Sequence, residues 1–163
     1  MPDSPGTPNA NARSADTLKP APAGIDPRGP RFGAAITSAL LVITLLLGTG
    51  PAATALLTLV VLLFVLGVGR GVQGTLQGLA FRAWVRPRLA PPSELEDPRP
   101  PRFAQLVGLL VVGGGLLLAA LGVPAGVPVA AAVALVAAFL NAAFGLCVGC
   151  ELYLLLRRWT PQH

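Results

Sequence analysis

Residues 147–151 read Cys-Val-Gly-Cys-Glu and hold both cysteines of a 163-residue chain. Two thiols spaced C-x-x-C fall within one helical turn, where their α-carbons lie within the distance a disulfide tolerates. A thiol pair held this close exchanges disulfides or binds a soft metal. Glu151, the one acidic residue embedded in an apolar run, lies one turn beyond Cys147, where a carboxylate can move protons for a thiol. A plainer reading stands beside each. Cysteine packs as a small apolar residue in a membrane helix, and a carboxylate at the water interface is neutralised by a nearby arginine. Structural zinc takes four ligands, and the one histidine is the terminal His163. Cys147, Cys150 and Glu151 therefore form the candidate site, with thiol exchange as its chemistry and neither metal nor cofactor expected.

The elements that position this site are apolar. The chain is 53% hydrophobic and 12% charged, with a mean hydropathy of +0.69, a balance that belongs to membrane proteins. The net charge of +5 comes almost wholly from arginines at the ends of apolar runs. No aromatic residues alternate with them to line a groove, so nucleic acid is excluded as a partner. Residues 1–25 are rich in Pro, Ala, Asn and Ser with no apolar core. They read as a disordered polar tail without a secretory signal. Residues 159–163 read as a short C-terminal tail.

Four apolar segments follow, at about 33–47, 52–69, 106–121 and 128–156. A spanning helix takes roughly 20 residues, so the first and third reach that length only with their flanks. Uncharged Gly/Pro turns at 48–51 and 122–128 join them in pairs, and a basic, Pro-rich connection at 82–102 joins the pairs. Arg28, Arg31, Arg82, Arg86, Arg88, Arg99, Arg102, Arg157 and Arg158 flank the segments, while the two short turns carry no Lys or Arg. The positive-inside rule places both termini and the middle connection in the cytoplasm of a multi-pass protein in the lipid bilayer. The expected fold is an all-α membrane protein of four transmembrane helices, arranged as two tandem helical hairpins.

The tandem arrangement rests on an internal repeat. Asp26-Pro-Arg-Gly-Pro-Arg-Phe32 returns as Asp97-Pro-Arg-Pro-Pro-Arg-Phe103, an offset of 71 residues from Asp26 to Asp97. At that offset Gly74 and Gly78 meet Gly145 and Gly149, Arg70 meets Asn141, and Cys147 and Cys150 meet Leu76 and Leu79. The four-helix domain, 26–158, thus divides into copies at about 26–87 and 97–158. The thiols are peculiar to the second. Each basic motif reads as a helix entry, with prolines in the first turn and arginines at headgroup level. Each G-x-x-x-G pair reads as a small-residue face for helix contact.

The fourth segment exceeds one span. Either the cysteines ride at the C-terminal end of a long helix, where the negative end of the macrodipole disfavours thiolate, or the helix breaks near Asn141 and Gly145. After a break the cysteines open a second short helix, which favours thiolate.

The stretch N-x-x-F-G-x-C-x-G-C-E-x-Y at 141–153, with the D-P-R-x-P-R-F motif and Pro87-Arg-Leu-Ala-Pro-Pro92, resembles the DUF4395 family of bacterial membrane proteins. The likeness runs from about Ile25 to Arg158. The family has no established biochemical function. Its members often stand beside thioredoxin-like and sulfurtransferase proteins in actinobacteria, so the resemblance implies thiol or sulfur metabolism. The leading expectation is a membrane thiol-disulfide exchange or sulfur-handling component that meets a cytoplasmic thioredoxin-like or sulfurtransferase protein. The alternatives are a transporter or channel component for a small sulfur species, with Cys147, Cys150 and Glu151 lining its path, and a structural membrane subunit. The sequence carries no motif for a quinone site, haem ligand or nucleotide loop.

Overall fold

The computed structural model describes residues 24–159. Most of the N-terminal tail, residues 1–23, and residues 160–163 with His163 lie outside the described residues. The described chain forms six α-helices: α1 (Arg28–Leu47), α2 (Pro51–Arg70), α3 (Leu76–Ala80), α4 (Arg99–Ala120), α5 (Gly126–Phe144) and α6 (Val148–Trp159). A 3-10 turn at Val72–Gly74 precedes α3, and a π turn at Phe81–Val85 and a 3-10 turn at Arg86–Arg88 follow it.

The long helices begin at the basic motifs. The Asp26 carboxylate accepts the Arg28 amide at 3.0 Å, and the Asp97 carboxylate accepts the Arg99 amide at 2.9 Å. Each satisfies a donor that a helix start leaves open. Pro30, Pro100 and Pro101 then sit in first turns, where the missing N–H costs nothing. Recruiting these motifs lengthens the two short apolar segments to helices of 20 and 22 residues. At about 1.5 Å per residue, each spans roughly the 30 Å of a bilayer core. α1 stops at Gly48, whose φ of 71° is open to glycine and costly for other residues.

α1, α2, α4 and α5 are each long and apolar enough to cross a membrane. Their outer faces confirm the solvent they suit. Only 11% of the most apolar window of α4 is buried in the protein, and Leu46 and Leu110 are 82% and 67% exposed. Helices that are apolar all round and yet unburied belong against lipid. The fold is that of an all-α, multi-pass membrane protein.

The core is narrow. Leu41, Leu57, Val60, Val112, Val127 and Ala131 are fully buried along its length. α1 packs chiefly on α5, and α4 packs on both α2 and α5. The closest approaches come where side chains are missing. Gly115 of α4 lies against Ala130 and the Gly126 carbonyl of α5, Gly67 lies against Gln105, and Gly108 lies against the Phe64 ring. Lipid gives helices no hydrophobic reason to associate, so close van der Waals contact at such positions holds the bundle.

These contacts correct the expectation for the two G-x-x-x-G pairs. Gly74 lies in the 3-10 turn and Gly145 in a left-handed helix cap. Neither pair shares one helix face. Gly71 and Gly145, both at positive φ, end α2 and α5. Packing between the spanning helices falls to Gly67, Gly108, Gly115 and Gly126, while Gly149 keeps a contact of its own against Ala104 of α4.

One end of the bundle gathers the short elements and the arginines. Phe81 stacks on Phe32 of α1 at 5.8 Å, and Tyr153 of α6 on Phe103 of α4 at 5.6 Å. Ile25 and Glu96, just ahead of α1 and α4, pair as an antiparallel bridge with two 2.9 Å bonds. Arg102 donates to the carbonyls of Val68 and Gly69 at the end of α2, at 2.6 and 3.2 Å. Arg31 donates to that of Ala143 at the end of α5, at 3.4 Å. The last turns of both helices thus find donors for carbonyls that the helix leaves open.

Candidate functional site

The long fourth apolar run is two helices. α5 ends at Phe144, and Gly145 takes φ 71°, ψ 11°. Its amide donates to Asn141 at 3.0 Å, and the Leu146 amide reaches back to Leu140 at 3.2 Å. This is how a glycine-capped helix satisfies its final carbonyls. The cysteines therefore do not sit at the end of the fourth spanning helix. They open α6, which resolves the alternative left by the sequence in favour of a break.

Cys147 immediately precedes α6. Its carbonyl accepts the Glu151 amide at 3.0 Å, the first helical bond, and its sulfur accepts the Cys150 amide at 3.3 Å. This is the N-cap position, with sulfur where a capping oxygen normally lies. Cys147 and Cys150 are joined as a disulfide with α-carbons 5.1 Å apart, and both are half-buried. The amide donor and the positive end of the helix dipole both favour negative charge on Cys147 Sγ. Glu151 lies in the first turn with an exposed side chain, a position where the dipole also favours a carboxylate.

Two contacts hold α6 in place. Gly149 is buried against Ala104 of α4, so closely that a Cβ there would come within 2.6 Å of the Ala104 α-carbon. One turn on, Tyr153 rests on Phe103, and the Arg157 guanidinium lies 6.0 Å from the Tyr153 ring centroid. The rest of α6 is exposed, with Leu154, Leu155 and Leu156 beside Arg157, Arg158 and Trp159. That composition suits a helix lying in the headgroup region.

The thiol cap of α6 has a hydroxyl analogue at α3. Thr75 is the N-cap of α3, and its hydroxyl accepts the Gly78 amide at 3.0 Å, three residues on, as Cys147 accepts Cys150. The breaks ahead of the two caps differ in length. Val72–Gly74 separates Gly71 from Thr75, whereas Leu146 alone separates Gly145 from Cys147.

Beside the first turn of α6, a cavity of about 240 Å³ opens between α1, α4 and α5. Cys147 lines it, and Cys150 and Glu151 do not. Its remaining polar lining is Thr37, Gln105 and Asn141, within a wall of mostly Gly, Ala and Val. Gln77 of α3, itself buried, donates to the Thr37 hydroxyl at 3.0 Å and holds α3 against α1. Sequence reading passed over Thr37, Gln77 and Gln105. The signal it had was the rarity of polar side chains inside or beside apolar runs. Among the described residues no three His, Cys, Asp or Glu side chains gather as metal ligands do.

The family described as Domain of unknown function (DUF4395) matches residues 25–158, nearly the whole chain, and the chain belongs to it. No curated protein and no solved structure matches.

Proposed function

We propose that this DUF4395 protein is a membrane thiol-disulfide exchange component, with Cys147 and Cys150 as the exchanging pair. The observation that carries the reading is the placement of the C-x-x-C at the start of α6. The break at Gly145 lifts the pair off the spanning helix and gives Cys147 the N-cap position, where an amide donor meets its sulfur. A thiolate at such a place is a good leaving group and a good nucleophile.

The exchange runs as follows. A thiolate of a soluble dithiol partner attacks Cys150 Sγ, the Cys147–Cys150 bond breaks, and the electron pair leaves on Cys147 Sγ beneath the Cys150 amide. The partner's second thiolate attacks its own bridged sulfur and releases Cys150, which takes up a proton. Glu151, exposed one turn from Cys147, stands where it can deliver or remove protons. The partner is a cytoplasmic thioredoxin-like or sulfurtransferase protein. The arginines grouped at the α6 end and absent from the turns at 48–51 and 122–128 support a cytoplasmic site and cytoplasmic termini.

The reading includes the tandem repeat. Several reciprocal relations support two hairpins in the same orientation, related by an axis along the membrane normal. α1 packs on α5 as α4 packs on α2. Arg31 closes the end of α5 as Arg102 closes the end of α2. Ile25 and Glu96, equivalent at the 71-residue offset, pair with each other. On that frame the second copy replaces a hydroxyl cap, Thr75, by a thiol cap, Cys147.

The transporter reading draws less support. The cavity beside Cys147 is lined by no charged residue, which suits neither thiosulfate nor sulfite. The test of the exchange reading is a mixed-disulfide trap. With Cys147→Ser, the Cys150 thiolate should attack the disulfide of an oxidised partner, displace one partner thiolate and stay bound to the other sulfur until reductant frees it. Failure of Cys147→Ser to capture any protein or small disulfide would contradict it.

A further inference from the structure

The cavity beside the disulfide is the feature that thiol exchange leaves unexplained. It is apolar, holds about 240 Å³, and has a disulfide sulfur in its wall. Val133 of α5, which lines it, is 54% exposed on the apolar outer surface of the bundle, the side from which a molecule dissolved in the bilayer would enter. Gln105 and Asn141 both line it, each half-buried. Amides offer donors to carbonyl oxygens in an otherwise apolar wall. The two cysteines also face different surroundings: Cys147 lines the cavity and Cys150 does not.

We propose that this cavity takes the ring of a membrane quinone, which re-oxidises the Cys147–Cys150 dithiol. The proposal rests on the exchange reading and names the second substrate of the same site. A lipophilic ring with two carbonyl oxygens fits the lateral entrance, the apolar wall and the two amide donors together. A saturated acyl chain would use the apolar wall and make no use of the Asn141 amide. The stoichiometry closes. Two thiols lose two electrons and two protons as the S–S bond forms, and the quinone gains both to become the quinol. Cys147 faces the quinone, and Cys150 receives the soluble dithiol, so electrons pass from a water-soluble donor into the membrane. No linear motif marks the site, since α1, α4, α5 and the start of α6 each supply part of it.

The experiment uses the full chain, reduced and purified in nanodiscs, with decylubiquinone as the probe. Its fully substituted ring has no free position for direct thiol addition. Quinol formation is followed by absorbance, and disulfide exchange with a soluble dithiol is measured in parallel. One quinol per disulfide is expected, lost in Cys150→Ser. Ala138→Phe, which fills the cavity, should slow quinone reduction at least tenfold and leave dithiol exchange unchanged. Gln105→Leu, of similar volume, should raise the KM for quinone and serves if the first variant fails to fold. Dithiol exchange without quinone reduction in the unaltered chain would overturn the quinone assignment and leave the exchange reading standing. Equal rates in the unaltered and cavity-filled proteins would overturn it as well. Loss of both activities in the unaltered chain would overturn both.

Discussion

At the scale of single residues, the site depends on two glycines as much as on two cysteines. Gly145 has a φ of 71°, and any L-residue there meets its own carbonyl. Gly145→Val should cost about 1–2 kcal/mol and let α5 run on toward the cysteines. The sulfur at position 147 would then lose its cap. Disulfide exchange should slow more than thermal stability falls, and a thiol-exchange assay beside a melting curve separates the two. Gly149 has no room for a side chain against the Ala104 backbone. Gly149→Leu should push α6 off α4 and increase labelling of Cys147 and Cys150 by a water-soluble thiol reagent. Unchanged labelling would show that α6 holds its place by other contacts. Cys147→Ser and Cys150→Ser, by contrast, should leave the fold nearly intact, because the core residues lie elsewhere along the bundle. Circular dichroism of both variants checks this.

At the scale of elements, the sequence displayed the spanning helices more plainly than the short ones. The apolar runs announced α1, α2, α4 and α5, since twenty apolar residues in lipid have one way to satisfy their backbone. The basic motifs announced where α1 and α4 start, through Asp26, Asp97 and the prolines after them. α6 was legible as one of two alternatives. The run exceeds one span and Asn141 and Gly145 offer a break, but Leu146, Val148 and Leu152 continue the apolar run and left a single long helix equally open. α3 and its π turn were hidden because the apolar run ends before Gln73, Thr75 and Gln77, and the cap at Thr75 and the cross-helix bond of Gln77 appear only in the folded chain. The cavity was illegible for the same reason: it is made of one or two positions from each of several helices. The arginine contacts belong to this scale. Arg31 and Arg102 bind helix-end carbonyls but are exposed, so Arg102→Gln should cost only about 1 kcal/mol. The double replacement of Arg31 and Arg102 should fray the ends of α2 and α5 first, seen as faster amide exchange at residues 66–70 and 140–144. Uniform exchange along all four helices would contradict that role.

At the scale of the whole molecule, four helices make a bundle whose two ends differ in charge. The basic motifs, the two short helices and the disulfide share one end, and two uncharged turns form the other. On the proposed topology, a reporter fused at Pro124 should give an external signal, and one fused within 89–95 a cytoplasmic signal. A cytoplasmic signal from Pro124 would reverse the assignment. The cytoplasm keeps most thiols reduced, so on the proposed topology and exchange reading the disulfide is a working state that should open and close. Mass-tag labelling of Cys147 and Cys150 in inside-out vesicles, with a membrane-impermeant reagent before and after dithiothreitol, measures this directly. The account predicts no tags on the oxidised protein, two on the reduced protein, and loss of both again after a mild oxidant. Thiols that stay unlabelled after reduction, or that never re-form the disulfide, would contradict it.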